Sequence, residues 1–201
     1  HGAELDGQRV GSFGDVACFS FYPSKNMTTG EGGMVVTDDE MVARNAAQFV
    51  NHGRSGAYKH ETLGHNFRMT NVAAAIGREQ LKKLPGYNKR RRENAARLTE
   101  GLRNASVRTP SEPDGCRHVY HQYTIRTEDR DKLQQYLNDE GVGTGVYYPR
   151  CIHNQPAYNH ISHDAPKAER AAKDVLSLPV HPALSERDVE RVITVMSSYN
   201  K

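Results

Sequence analysis

The chain has 201 residues and a formal net charge of +3, with 36% hydrophobic and 25% charged residues. This balance is ordinary for a globular protein of one large or two small domains, and so small a positive charge gives no argument for nucleic-acid binding. No apolar stretch approaches the roughly 18 residues of a membrane span and no signal peptide opens the sequence, so we expect a cytoplasmic protein without membrane association.

Two strands and a helix are predicted at the start of the chain. Apolar residues alternate over residues 15–22 and recur over 34–37, which predicts two strands joined by a loop. Thr37, with Glu40 three residues later, forms a capping-box pattern that predicts a helix ending near residues 51–53. Residues 53–67 are rich in Gly, His and Tyr without periodicity, so we expect a loop.

Two further helices are predicted in the middle of the chain. Thr70 can cap a helix whose apolar residues share one face, and the pair Pro85-Gly86 is expected to interrupt it. A separate helix over about residues 87–103 then follows. Its position between two patterned regions predicts a linking helix between domains.

The remaining pattern predicts a compact α/β unit. A strand over residues 118–126, a helix over 129–140 and a strand over 142–148 follow one another. Ser185 with Asp188 forms a second capping-box pattern, which predicts the start of the last helix.

Cysteine and histidine usage does not favour a metal site. The chain has three cysteines, which are Cys18, Cys116 and Cys151. Their odd number and their spacing indicate neither a disulfide framework nor a zinc site, so we expect reduced thiols. A histidine-rich stretch contains His153, His160 and His163, but no carboxylate or cysteine completes a recognisable ligand set there. We therefore predict no bound metal.

A single lysine stands where the sequence is most informative. Residues 18–26 place Lys25 just after an aromatic strand, and glycines at 30–33 follow before the next apolar run. An apolar wall that desolvates an amine favours its neutral form, which attacks carbonyls. Glycines let a ligand come close to the main chain. The pattern suggests a Schiff-base site, yet composition alone favours a solvated loop lysine before a simple turn, and the spacing does not decide between them.

The string around Lys25, together with His1-Gly2-Ala3-Glu4 and residues 10–15, resembles the DegT/DnrJ/EryC1/StrS family of sugar aminotransferases. The likeness continues through residues 51–53, 64–81 and 178–182, and covers nearly the whole chain in order. It implies the α/β fold of fold type I enzymes that use pyridoxal phosphate (PLP), also called aspartate-aminotransferase-like.

The resemblance also implies a division into domains. The chain would hold a partial large domain in residues 1–86, a linking helix in 87–104 and a small C-terminal α/β domain in 105–201. Because the chain does not start with Met, we interpret it as a fragment. In the family a preceding segment supplies a phosphate-binding turn, a ring that stacks on the cofactor and an aspartate for the pyridine nitrogen. We therefore expect the fragment alone to retain PLP weakly and to be inactive.

The candidate site residues are Ser20, Lys25, Asn66, Arg68, Tyr148 and His153. The first three match functional residues of the family, and Arg68 is a candidate because its fork of donors could pair with a carboxylate or phosphate. By this resemblance Lys25 forms the Schiff base with PLP and then moves a proton, and Ser20 donates its hydroxyl to the cofactor phosphate. Asn66 reaches the cofactor of the neighbouring subunit, which requires a homodimer. By themselves Asn66 reads as a turn residue and Arg68 as an anchor of the following helix. Tyr148 and His153 fall where the family has a substrate-facing loop, and a plain surface loop is the alternative.

The resemblance implies a reaction as well. We expect a nucleotide-linked keto-sugar to be converted to an amino sugar, with glutamate as amino donor. A PLP-dependent sugar dehydratase is one alternative, although some such relatives carry histidine at the lysine position and Lys25 therefore favours transamination. A non-catalytic regulator of the same fold is the other alternative.

Overall fold

A computed structural model of the chain describes residues 1–160 and 163–199. The chain divides into two compact units, the first comprising His1–Asn88 and Pro113–Val119 and the second Lys89–Glu112 and Tyr120–Lys201. Each unit has its own cluster of buried apolar side chains. The roles that we predict for separate domains stay predictions.

Seven strands and five α-helices make up the regular structure of the described residues. The strands are β1 (Glu4–Leu5), β2 (Gln8–Arg9), β3 (Val16–Ser20), β4 (Gly33–Thr37), β5 (Cys116–Arg117), β6 (Tyr123–Arg126) and β7 (Val175–Leu178). The α-helices are α1 (Glu40–Phe49), α2 (Asn71–Gly101), α3 (Arg130–Asp139), α4 (Pro166–Asp174) and α5 (Glu186–Ser198). Within the described part of the chain, no helix has the length and apolarity needed to cross a membrane.

The first unit contains two small antiparallel sheets. One has the strand order β2-β1-β5, and the other is the pair β3-β4. In the β3-β4 pair Val16 lies opposite Thr37 and Ser20 lies opposite Gly33. Both predicted strands are confirmed, although β3 ends at Ser20 and leaves residues 21–32 as the connecting loop. This loop carries Lys25.

Helix α1 is capped by a different residue from the one predicted. The Asp39 carboxylate accepts hydrogen bonds from the backbone N–H groups of Met41 (2.7 Å) and Val42 (3.1 Å). Thr37 still belongs to β4, and its hydroxyl donates to the carbonyl oxygen of Asp15 at 2.6 Å. The predicted Thr37 cap is therefore wrong, because the strand holds that hydroxyl and an aspartate closer to the helix serves as N-cap instead.

Helix α2 runs without a break through Pro85, so the predicted interruption is wrong. Its start agrees with the prediction, because the Thr70 hydroxyl accepts from the backbone N–H of Ala73 at 3.1 Å. A proline inside a helix removes one backbone hydrogen bond. Here Leu84 and Asn88, on either side of it, are both buried in the first unit. The buried contacts of Leu84 and Asn88 support the helical conformation on both sides of the proline.

The second unit is built on the antiparallel pair β6-β7, in which Tyr123 lies opposite Leu178 and Arg126 opposite Val175. The strand predicted over residues 118–126 forms only in its last four positions. The strand predicted over 142–148 is wrong, since a single bridge from Gly145 to Ser177 is its only pairing within the described residues. Three glycines at 141, 143 and 145 weaken the strand propensity of that segment.

The core of the second unit gathers side chains from one sheet and three helices. The fully buried members include Leu98 of α2, Ile125 of β6, Leu133 of α3, Leu176 of β7 and Val189 of α5. Burial raises the pKa of Tyr123 to about 12. The predicted capping box of α5 is confirmed, with hydrogen bonds in both directions between Ser185 and Asp188.

We predict that Ile125→Ala lowers the free energy of unfolding by about 2–5 kcal/mol, because it leaves a cavity in this core. Ile125 is fully buried, whereas Ile152 in the same unit is 75% exposed. Ile152→Ala is thus a matched control and should change stability by no more than about 0.5 kcal/mol. Equilibrium urea unfolding measures both, and equal losses would contradict the core described above.

Candidate active site

The loop over residues 21–32 is closed by hydrogen bonds at its base. The backbone N–H of Phe21 donates to the carbonyl of Gly32 at 2.8 Å, and that of Thr29 donates to the carbonyl of Phe21 at 3.1 Å. Within the loop, the N–H of Lys25 donates to the carbonyl of Tyr22 at 2.9 Å. Lys25 therefore lies at the end of a tight turn, on a loop whose two ends are joined by backbone hydrogen bonds.

An apolar cluster fixes the two sides of this loop. Phe21 before the lysine and Met27 after it are buried together with Leu84 of α2. Phe19 and Met69 pack against the same cluster. The phenylalanine rings thus anchor the loop on the helix, and the apolar wall that we expect around the lysine amine stays a prediction.

The side chain of Lys25 is partly exposed. No ion pair or side-chain hydrogen bond engages its amine among residues 1–160 and 163–199. A lysine amine without a carboxylate partner is available to attack the carbonyl of an aldehyde. In chemical type it fits the aldehyde group of PLP.

Ser20 lies at the end of β3 with its side chain exposed. Its hydroxyl oxygen accepts a long hydrogen bond of 3.4 Å from the N–H of Tyr22. Its carbonyl oxygen is 2.9 Å from Nε2 of His1, whose ring packs beside Phe19 and Phe21. The hydroxyl hydrogen of Ser20 has no acceptor among the described residues and suits donation to a phosphate oxygen. The hairpin thus carries one amine and one hydroxyl. The amine suits the aldehyde group of PLP, and the hydroxyl suits its phosphate.

Asn66 and Arg68 lie together on a second loop of the first unit, and both side chains are exposed. Asn66 pairs with Asn51 through a β-bridge, and the N–H of Phe67 donates to the carbonyl of Val50 at 3.0 Å. The Arg68 guanidinium donates to Oδ1 of Asn51 at 2.8 Å. This contact ties Arg68 to Asn51, after α1, and not to the following helix α2, so the anchoring role stays a prediction, and other donors of the guanidinium are left for a ligand.

The conformation of this second loop depends on Gly53. Its φ is +71°, and a Cβ added there would lie 1.7 Å from the carbonyl oxygen of Thr62. The preceding His52 also has a positive φ, of 60°. Desolvation, followed by the nearby Arg68 guanidinium, lowers the pKa of His52. The loop therefore needs glycine at position 53 to present Asn66 and Arg68.

Tyr148 and His153 belong to the second unit. Tyr148 is largely exposed, and His153 lies on a short 3₁₀ helix, Ile152–Asn154. Nε2 of His153 is 3.0 Å from a carboxylate oxygen of Glu169, and its ring centre is 5.9 Å from that of His163. The glutamate already engages this imidazole, so a substrate role for either residue stays a prediction.

Metal ligands are not assembled in the part of the chain that the structure describes. No group of three or more His, Cys, Asp or Glu residues there could hold a metal ion. The three cysteines are free thiols.

The first unit also has an apolar hollow of about 990 Å³ between β3, β4 and α1. Its lining includes Met34, Val36, Ala47 and Phe67, and it does not include Lys25. Several large apolar side chains nearby are exposed, and α1 has no buried residue. Glu31 and Gly32, at the end of the loop over residues 21–32, also line this hollow, which exposes apolar surface of a kind that proteins normally cover.

Two asparagines of the site were missed by sequence reasoning. Asn26, directly after Lys25, and Asn88 on α2 are both buried and joined by a hydrogen bond of 2.8 Å. The only signal for Asn26 was its place beside the lysine. Asn88 follows Leu84 by one helical turn, so both face the loop from the same side of α2.

Comparison with solved structures places this fold among aminotransferases. The structure of DesV from S. venezuelae in complex with a ketimine intermediate matches with a TM-score of 0.96 and 37% sequence identity, over 100% of this chain and 56% of that one. Solved structures of the same fold include PLP and PMP forms of a sugar aminotransferase. The class is thus that of PLP-dependent sugar aminotransferases, and the predicted fold class is confirmed.

The family follows from the sequence comparison. A model of the DegT/DnrJ/EryC1/StrS aminotransferase family matches residues 1–197. The chain belongs to this family, whose aminotransferases use PLP, and the resemblance inferred from the sequence is confirmed.

Two curated relatives show what the chain is similar to. A UDP-N-acetyl-3-dehydro-alpha-D-glucosamine 3-aminotransferase of Acidithiobacillus ferrooxidans is 42% identical over 97% of this chain and 53% of its own length. A pleiotropic regulatory protein of Geobacillus stearothermophilus is 39% identical over 98% of this chain and 55% of its own length. The chain spans about half the length of the curated relatives it matches.

We predict that Gly53→Ala disrupts the loop that presents Asn66 and lowers the free energy of unfolding by more than about 1 kcal/mol, since alanine is strained at a positive φ. The amide protons of His65 and Phe67, which donate to the backbone of residues 49 and 50, should exchange faster with solvent.

Gly56 provides the control, because a Cβ there would meet no atom within 4 Å. Gly56→Ala should leave the exchange of both amides unchanged. Wild-type exchange in Gly53→Ala would contradict the conformation described for this loop.

Proposed function

We propose that the full-length protein is a PLP-dependent aminotransferase that converts a nucleotide-linked keto-sugar to an amino sugar, with glutamate as amino donor. The observation that carries this proposal is the amine of Lys25, which has no ion pair or hydrogen bond among the described residues and stands on a closed loop anchored to α2. The relatives support the substrate class, because one acts on a UDP-linked sugar and another is named as a dTDP-amino-sugar transaminase.

Lys25 has three tasks in this proposal. Its amine would hold PLP through the cofactor's aldehyde group, would give way to the amino substrate, and would then carry a proton as base and acid. PLP, when bound, supplies the electron sink that makes removal of this proton feasible. The turn that holds the Lys25 backbone keeps the amine near one place while its flexible stem lets it move between these tasks.

Ser20 is proposed to bind the cofactor phosphate through its free hydroxyl hydrogen. Its place at the end of β3, on the same hairpin as Lys25, supports this role because one rigid element then positions both contacts. The family's other contacts, to the rest of the phosphate, the ring face and the pyridine nitrogen, are proposed to come from the remainder of the full-length protein.

A homodimer completes the proposed site. We assign Asn66 to the cofactor of the neighbouring subunit and Arg68 to an anionic group of the substrate. Both side chains are exposed on a loop that is held by the hydrogen bond from Arg68 to Asn51. This exposure supports their proposed contacts with a partner subunit or a ligand. Tyr148 and His153 are proposed substrate contacts from the second unit.

The apolar hollow beside β3 and α1 supports the view that activity belongs to the full-length protein. The relatives are about twice as long as this chain, so a comparable length of chain is available to cover the hollow. We propose that the 201-residue chain alone binds PLP weakly and is inactive. We also propose a cytoplasmic location, which the three free thiols fit because disulfides are rare there.

A regulatory role without catalysis is the second candidate, because one relative is named as a pleiotropic regulatory protein. A PLP-dependent dehydratase is the third. Lys25 supports transamination over both, since a regulator has no need of an unpaired amine on a closed loop and some dehydratases of the family have histidine there.

We predict that borohydride reduction of the full-length protein with PLP, followed by peptide mapping, places a pyridoxyl label on Lys25. Lys25→Ala should lose this label and at least about 100-fold of the amino-transfer rate, because the group that carries the proton is gone. Lys59→Ala is the control, since that lysine pairs with Glu61 on an exposed loop, and it should behave as wild type.

Product analysis separates the candidates. An amino sugar formed at the expense of glutamate supports the proposal, whereas a dehydrated sugar without amine transfer would establish the dehydratase. A wild-type protein without any label at Lys25 would refute the PLP mechanism.

A further inference from the structure

Asn26 has an unusual environment for a polar side chain next to an active-site lysine. It is 6% exposed, and its Nδ2 donates to Oδ1 of Asn88 at 2.8 Å and to the carbonyl oxygen of Val119 at 2.9 Å. Both hydrogens of the amide are therefore used, and the two acceptors fix its orientation. Its own Oδ1 is buried without a partner among the described residues. Burying an unpaired carbonyl costs stability, so this arrangement calls for an explanation.

Asn88 continues the connection toward Ser20. It is 5% exposed, and its Nδ2 donates to the carbonyl oxygen of His1 at 2.7 Å. Nε2 of His1 is in turn 2.9 Å from the carbonyl oxygen of Ser20. One chain of hydrogen bonds therefore joins Ser20, at the start of the lysine loop, to Asn26, directly after Lys25.

This chain ends at the backbone carbonyl of Ser20 and at the side chain of Asn26, so it links Ser20 to the residue directly after Lys25. The proposed function places the side chains of Ser20 and Lys25 on PLP. Among the described residues no hydrogen bond or ion pair positions the Lys25 side chain, so its Cα is held by the backbone turn and by its neighbour Asn26. A lysine that must bind and release a carbonyl needs a fixed Cα and a free amine. A misplacement of about 1 Å costs on the order of 100-fold in rate.

We propose that Asn26 and Asn88 form an amide clamp that positions Lys25 relative to Ser20. Asn26 and Asn88 are positioning residues, because neither is assigned a contact with cofactor or substrate. The clamp also reaches a distant part of the sequence, since Val119 follows β5 and lies 93 positions from Asn26. The inference rests on the function proposed above for Lys25.

The chain offers a matched control on the same helix. Asn94 of α2 is 1% exposed, its Nδ2 donates to the carbonyl oxygen of His181 at 3.1 Å, and its Oδ1 is also buried without a partner. It belongs to the second unit, whereas Asn88 belongs to the first. Asn94→Ala therefore removes a buried amide of the same kind without touching the lysine loop.

The test measures how fast Lys25 is labelled by PLP and borohydride in the full-length protein, relative to the exposed Lys82 in the same sample. We expect Asn26→Ala and Asn88→Ala to slow labelling of Lys25 by about tenfold or more and to leave labelling of Lys82 unchanged. Asn94→Ala should label Lys25 within about twofold of the wild-type rate, even though it loses a buried hydrogen bond.

Asn88→Ala keeps the experiment decisive if Asn26→Ala does not fold. It removes the hydrogen bond between Asn26 and Asn88, whereas the hydrogen bond from Asn26 to Val119 remains. The clamp is refuted if Asn88→Ala labels Lys25 at the wild-type rate, or if Asn94→Ala slows labelling as much as Asn88→Ala does. A wild-type protein that is not labelled at Lys25 refutes the proposed function itself, so the two failures are distinguishable.

Discussion

The buried amide of Asn26 holds the lysine loop to the rest of the first unit. Its two hydrogen bonds, to Asn88 of α2 and to the carbonyl of Val119, join three segments that are distant in sequence. Beside it, Phe21 and Met27 bury their side chains against Leu84, one helical turn before Asn88. A polar and an apolar contact from one face of α2 thus fix the loop on both sides of Lys25.

This arrangement explains how a lysine can be both positioned and free. The hairpin β3-β4 sets the base of the loop, and hydrogen bonds between Phe21, Thr29 and Gly32 close it. The buried contacts act on the neighbours of Lys25, so the lysine amine itself keeps no protein partner among the described residues. Chemistry at the amine then does not require breaking an interaction that the fold depends on.

Short-range patterns in the sequence predicted several helix caps and strands, because these features depend on residues that are close together in the chain. The capping box at Ser185, the N-cap at Thr70 and the strands around the lysine loop are all short-range patterns, and the structure has them. The family resemblance identified the fold because it used many such segments in order. The same resemblance proposed Lys25 and Ser20 as site residues, and their roles stay predictions.

Long-range contacts account for what the sequence did not predict. Helix α2 passes through Pro85 because Leu84 and Asn88 are anchored by residues far away in the chain. Among the described residues, 142–148 contact β7 through one bridge, from Gly145 to Ser177, and the glycines of that segment do not favour its extension into a strand. The partners of Asn26 lie 62 and 93 positions away, and no pattern near Lys25 indicates them.

A crystal structure of the full-length protein grown with PLP tests the central claim most directly. The account predicts continuous electron density from Nζ of Lys25 to the cofactor, the Ser20 hydroxyl within hydrogen-bonding distance of the phosphate, and the Asn26 amide still bonded to Asn88 and Val119. PLP joined to another lysine, or an Asn26 amide turned to solvent while Lys25 holds the cofactor, would contradict it.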